Sequence, residues 1–88
     1  MYEVEFTEDA LDDLAKLSKD IAQRIFKKIR WLAENFEALS PEPLSHQWQG
    51  MYKLRVGDYR VVYTVENDTQ ALIIVHLIGH RREIYKSR

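Results

Sequence analysis

The chain has 88 residues, enough for a single modest hydrophobic core, and its 45% hydrophobic and 31% charged residues describe a globular chain rather than a disordered or fibrous one. It contains no cysteine, which excludes disulfides and thiolate metal sites and fits a reducing cytoplasm. The net charge is -1, yet residues 1–44 carry six Lys/Arg against ten Asp/Glu and residues 45–88 carry seven against four, so the halves hold -4 and +3.

The chain opens Met1-Tyr2-Glu3-Val4-Glu5, with no basic run and no long apolar stretch, which predicts neither a secretory signal nor a membrane span. Apolar Tyr2, Val4 and Phe6 alternate with Glu3 and Glu5, the period of a half-buried strand. Thr7 is placed to cap a helix whose first turn holds Glu8 and Asp9, matching the positive end of its dipole. That helix runs to about Leu17, with Leu11, Leu14 and Ala15 predicted on the buried face and Asp12, Asp13 and Lys16 opposite. After Ser18 a longer helix carries Ile21, Ile25, Ile29, Leu32, Phe36 and Leu39 at helical spacing, and the two form an antiparallel helical hairpin. Ser40-Pro41-Glu42-Pro43 stops it, and a loop is expected to Gly50.

From Met51 the period becomes two, with Tyr52, Leu54 and Val56 on one face and Lys53 and Arg55 on the other. Gly57-Asp58 has glycine first, as a type II′ hairpin turn requires, and leads into Tyr59–Val65. A second turn is expected at Glu66–Thr69, then a nearly continuous aliphatic run, Ala71–Ile78, read as the central and most buried strand. The whole is one α+β domain, residues 1–88: an N-terminal strand, the helical hairpin, then a three-stranded antiparallel meander. The helices pack on one sheet face and leave the other uncovered.

A two-residue turn pairs Arg55 with Arg60 on one face, with Lys53 two positions along. Opposed like charges are destabilising by up to about 1 kcal/mol, and within the hairpin only Asp58 offers a carboxylate, so the cluster calls for an anion. A second basic segment, His80-Arg81-Arg82, follows the last strand, and Tyr85 shares a face with Arg81 if the tail forms a helical turn. Cations beside an aromatic suit unpaired RNA, although Tyr85 serves equally as an apolar anchor for the tail. His46, His76 and His80 are scattered and make no metal motif.

The segment Lys53-Leu54-Arg55-Val56-Gly57-Asp58-Tyr59-Arg60-Val61-Val62-Tyr63, followed by Ile78-Gly79-His80-Arg81 and Tyr85, resembles the RelE/ParE toxin superfamily over nearly the whole chain. The resemblance implies a RelE-like fold and a metal-independent, cofactor-free mRNA endoribonuclease that acts on the ribosome and is silenced by a cognate RelB-like antitoxin. It also implies catalytic roles for Lys53, Arg55, Arg60, Arg81 and Tyr85. The loop Pro41-Glu42-Pro43-Leu44-Ser45-His46 resembles the YoeB group, in which the glutamate is the general base.

Cleavage by the substrate's own 2′-OH needs a base, cations for the charged transition state and an acid for the leaving oxygen. Lys53, among cations that disfavour a further charge, and Glu42 both remain open as the base. Arg55 and Arg60 are read as phosphate clamps, Arg81 as a clamp or acid assisted by His80, and Tyr85 as a stacking platform. The alternative is a ParE-like inhibitor of DNA gyrase without nuclease activity. A binding module that has lost activity is a third reading.

Overall fold

The computed structural model describes residues 1–67 and 71–86, so half of the turn expected at 66–69 lies outside the described residues. Strand β1 (Glu3–Phe6) leads into helices α1 (Glu8–Ala15) and α2 (Lys19–Asn35) and a 3-10 turn (Phe36–Ala38). There follow β2 (Glu42–Pro43), a 3-10 turn (His46–Trp48), β3 (Tyr52–Val56), β4 (Tyr59–Glu66) and β5 (Leu72–His80). The five strands form one sheet in the order β1-β5-β4-β3-β2, antiparallel except for the parallel pair of β1 with β5. The α+β architecture and the antiparallel meander expected from the sequence are therefore present. The middle strand, however, is β4, with β5 between it and β1. Residues 42 and 43, expected in a loop, add a short edge strand. Pro43 forces Glu42 into extended backbone, and a proline without an N–H is tolerated at a sheet edge.

Local chemistry starts both helices. The Thr7 and Ser18 side chains accept from the amides of Ala10 and Ile21 at 3.2 and 3.3 Å, the N-cap geometry that Ser and Thr favour. The face that α1 buries differs from the expected one. Ala10, Asp13 and Leu14 are buried, whereas Leu11 is 51% exposed and Ala15 is exposed. The cause lies in β5. β1 pairs with it only as far as Phe6–Val75, and α1 takes over where β1 ends. The Thr7 hydroxyl donates to the His76 carbonyl at 3.2 Å, and Asp13 Oδ2 accepts from the buried Ile78 amide at 2.9 Å. Two side chains thus meet strand groups that would otherwise lack partners, and a buried amide without an acceptor is costly.

The main core lies between the helices and one sheet face: Leu14, Ile25, Ile29 and Leu32 against Leu54, Val61, Tyr63, Ile73, Val75 and Ile78. The opposite face is not bare, which corrects the expectation of an uncovered sheet. Val62 and Leu77 on that face form a second small core with Ile84 of the C-terminal tail, and Leu44, Trp48, Met51 and Tyr85 pack around it. The tail turns back through hydrogen bonds from the Glu83 and Ile84 amides to the His80 carbonyl, at 2.9 Å each. This folding-back, with the 44–51 segment, builds walls beside the basic hairpin.

Candidate active site

The β3–β4 hairpin has the predicted turn. Gly57 sits at φ +59°, and Asp58 does not enter the left-handed region, the pattern of a type II′ turn. The register follows: Val56 opposes Tyr59, Arg55 opposes Arg60 and Lys53 opposes Val62. Since Val62 belongs to the second core, Lys53, Arg55 and Arg60 share the sheet face away from the helices.

The cluster holds its own counter-charge. Glu42 pairs with Lys53 across β2–β3, and its Oε2 lies 3.6 Å from Arg55 Nη2 and 4.0 Å from Lys53 Nζ. Asp58 is the hairpin's own carboxylate, and Glu42 reaches the cluster from outside the hairpin, which corrects the all-cation surroundings expected to favour a basic Lys53. The reason is tertiary, because Glu42 arrives on a strand that pairing with β3 creates. Glu42 and Lys53, the two candidate bases, are side by side.

Arg60 Nη1 donates to the carbonyls of Gly57 and Tyr59 at 2.9 and 2.8 Å, which fixes its guanidinium at the turn. Arg81 comes to the same turn from the far end of β5. Its amide donates to the Asp58 carbonyl at 2.8 Å, and its Nε lies 3.8 Å from Asp58 Oδ1. Arginines from two separated segments therefore converge on one hairpin tip. His80 does not join them. Gly79 opposes Arg60 and His80 opposes Tyr59, so His80 lies on the helix side, its ring edge-on to Tyr59 at 5.5 Å and its Nδ1 accepting from the Arg82 amide at 3.1 Å. His46 is a turn residue at φ +59°, and His76 Nε2 bonds the Thr64 hydroxyl at 2.8 Å.

Tyr85 packs edge-on against Trp48, with ring centroids 5.7 Å apart, in the position of an apolar anchor. Its hydroxyl oxygen is buried and, among the described residues, has no hydrogen-bond partner. Burial holds the phenolic proton more tightly than in a free tyrosine; Arg60 opposes that shift and Glu42 reinforces it, so both charges lie within electrostatic reach of the ring. Tyr85 is thus a neutral O–H donor beside the cluster. Trp48, which shapes this wall, carried no signal in the sequence beyond its bulk. Nor did Arg24 of α2, whose Nη2 would lie 3.2 Å from a Cβ placed on Gly57.

On its other side the molecule has a groove of about 1230 Å³ along the outer edge of β1 and the flank of α2, with Val4, Phe6, Phe26 and Ile29 among its walls. Phe26 is 47% exposed there, its ring 5.7 Å from that of Phe6.

Residues 4–85 match the model of the ParE toxin of type II toxin-antitoxin systems. The chain is 36% identical over 85 residues to a RelE-like toxin protein of Escherichia coli, covering 91% of this chain and 83% of that one. It is 31% identical over 85 residues to the toxin RelE of Mycobacterium tuberculosis, covering 97% and 87%. Among solved structures, the toxin-antitoxin complex RelBE2 of Mycobacterium tuberculosis superposes with a TM-score of 0.78 at 27% identity, covering 91% of this chain and 98% of the other. The fold, the family match over nearly the whole length and these relatives agree: the chain belongs to the RelE/ParE superfamily of toxins of type II toxin-antitoxin systems.

Proposed function

We propose that the chain is a metal-independent endoribonuclease that cleaves mRNA on the ribosome and so halts translation in the cytoplasm. The observation that carries this reading is the convergence of Arg55, Arg60 and Arg81 on one hairpin tip, beside Lys53, Glu42 and the Tyr85 hydroxyl. Guanidinium groups remain charged and bind phosphate oxygens in a fork, which suits a pentacoordinate phosphorus whose negative charge grows in the transition state. The 2′-oxygen attacks the adjacent phosphorus, its proton passes to Lys53 or Glu42, and the P–O5′ bond breaks as the 5′-oxygen takes a proton from Arg81 or Tyr85. The products are a 2′,3′-cyclic phosphate and a 5′-OH.

The test is to map RNA 5′ ends after brief induction, and with purified chain in the presence and absence of ribosomes. Arg60→Ala and Arg81→Ala each lower the cleavage rate by at least about 10²-fold, on the scale of losing one transition-state donor, and relieve growth arrest without altering the circular dichroism spectrum. If both variants remain fully toxic, the site is wrong. The ParE family match supports a second reading, a gyrase inhibitor. That reading requires DNA breaks on induction and intact messages.

The groove beside β1 suits the antitoxin. An edge strand with no outer neighbour among the described residues accepts an extended chain by strand addition, and the apolar wall beside it receives alternate side chains. One similar solved structure, RelBE2 of Mycobacterium tuberculosis, is itself a toxin-antitoxin complex.

A further inference from the structure

Gly57 is the point where the two layers of the molecule meet. From the strand side, Arg60 Nη1 donates to its carbonyl at 2.9 Å. From the helix side, Arg24 Nη2 sits 3.2 Å from the place a Cβ would occupy, a separation tighter than side-chain carbons ordinarily show. Glycine thus serves two needs here, a positive φ and the close approach of a guanidinium. Arg24 is exposed, and among the described residues it has no carboxylate partner. It heads a stripe on α2, because Arg24, Lys28 and Trp31 stand at i, i+4 and i+7 and so line one side of the helix. Lys28 Nζ lies 3.8 Å from the centroid of the Trp31 ring, and Trp31 is 39% exposed.

Arg24 shares one property with Arg60, its neighbour at Gly57. Among the described residues neither has a carboxylate within 4.0 Å, whereas Lys53, Arg55 and Arg81 each do. An uncompensated cation at the rim of a phosphate site, in line with a second cation and an open indole face, is the composition that holds a single nucleic-acid strand. The cations follow the backbone, and a base stacks on the ring. Arg55 opposes Arg60 at the hairpin tip, and Arg24 reaches the space beside Gly57 from the helix side, so the two basic surfaces approach each other at the turn.

We propose that an RNA strand bound at the hairpin continues over the β3–β4 turn onto α2. Arg24 takes a phosphate next to the one held by Arg55 and Arg60, and the Lys28–Trp31 pair receives the nucleotide beyond it. The proposal rests on the ribonuclease reading of the hairpin and deepens it, because the preferred ligand is then a stretch of several nucleotides and not a single cleaved linkage. A protein partner would use the same exposed side chains without any dependence on RNA length.

The experiment measures binding of a dinucleotide, which has a single phosphate, and a decanucleotide, both carrying 2′-O-methyl groups that block cleavage, to wild type, Arg24→Ala, Arg24→Lys and Lys28→Ala. Arg24→Ala should weaken the decanucleotide by roughly five- to tenfold and leave the dinucleotide unchanged. It should also reduce the log–log salt slope by about 0.7, the value for one phosphate contact on a single strand. Arg24→Lys should keep that slope, and single-turnover cleavage at saturating RNA should be unaltered in all variants. Arg24 and Lys28 are off the buried face of α2, and unchanged thermal midpoints would show that their replacements fold. Equal losses at both lengths, unchanged decanucleotide binding, or a loss confined to an antitoxin would each overturn the proposal. Where wild type cleaves RNA and Arg24→Ala behaves identically, only this inference fails. Where wild type binds neither RNA, the hairpin reading fails with it.

Discussion

His76 illustrates how one residue acquires a role from its place in the sheet. Between Val62–Leu77 and Tyr63–Val75 the β4–β5 register slips, so His76 is the extra residue of a bulge, held by Nε2 to the Thr64 hydroxyl. Burial lowers its pKa from the ordinary 6.5, since the charged ring would lose hydration. The unfolded chain then binds a proton that the folded chain resists. This contribution to stability is complete above about pH 6.5 and is lost as pH falls through the lowered value. Urea midpoints should decline on acidification below that point, and His76→Gln should show a shallower decline over the same range. Parallel profiles for the two proteins would remove His76 from the explanation. The basic residues were legible at this scale, since alternation and the Gly57-Asp58 turn place Lys53, Arg55 and Arg60 on one face. His80 falls on the other side, because a strand reverses sides with every residue and one step past Gly79 the ring belongs to the helix face.

Among elements, α1 is the instructive case. Its sequence offers Leu11 for burial and Asp13 for solvent, by the simplest amphipathic reading. The helix instead turns Asp13 inward because β5 extends past the end of β1 and exposes the Ile78 amide. A hydrogen-bond requirement of a distant strand thereby outweighs a leucine's preference for burial. Replacing Asp13 by Ala should cost about 1–3 kcal/mol, the penalty of leaving a buried donor unpaired. Asp12→Ala, one residue away and exposed, should change stability by less than about 0.5 kcal/mol. Chemical denaturation of both variants decides the matter, and similar losses would contradict the account. The same logic applies to β2. Pro41 before it and Pro43 within it announce extended backbone, but only pairing with Tyr52 and Lys53 turns that backbone into a strand and brings Glu42 to the cations.

Across the whole molecule, two proposed surfaces open on different sides and approach each other at Arg24, which lines the groove as well as reaching Gly57. The basic hairpin is on the face away from the helices, and the apolar groove follows the far edge at β1 and α2. An antitoxin seated in the groove therefore leaves contacts of its own to be altered without touching the hairpin. Phe26→Asp should weaken capture by the co-expressed antitoxin by about tenfold or more, as loss of a buried aromatic anchor commonly does, and leave RNA cleavage by the free toxin unchanged. Growth arrest should then persist despite the antitoxin. Full neutralisation of the Phe26→Asp chain would place the antitoxin elsewhere. The charge asymmetry between the two halves of the sequence takes on a spatial meaning here. The net charge of -1 conceals a cationic tip built from residues 53–81, joined over Gly57 by Arg24 from the acidic half.

The sequence by itself determined the class of fold, both helices, four of the five strands and the hairpin register, and it carried the resemblance to a toxin family. The elements and the register follow from short-range rules: a period of two or 3.6, a cap, or a glycine-led turn. Only the tertiary structure decided which carboxylate neutralises the cations, which face His80 occupies, how the tail covers the second sheet face, and that Arg24 meets the hairpin. These pairings join segments far apart in the chain. They are set by strand adjacency and by the need to give buried polar groups partners, neither of which local spacing encodes.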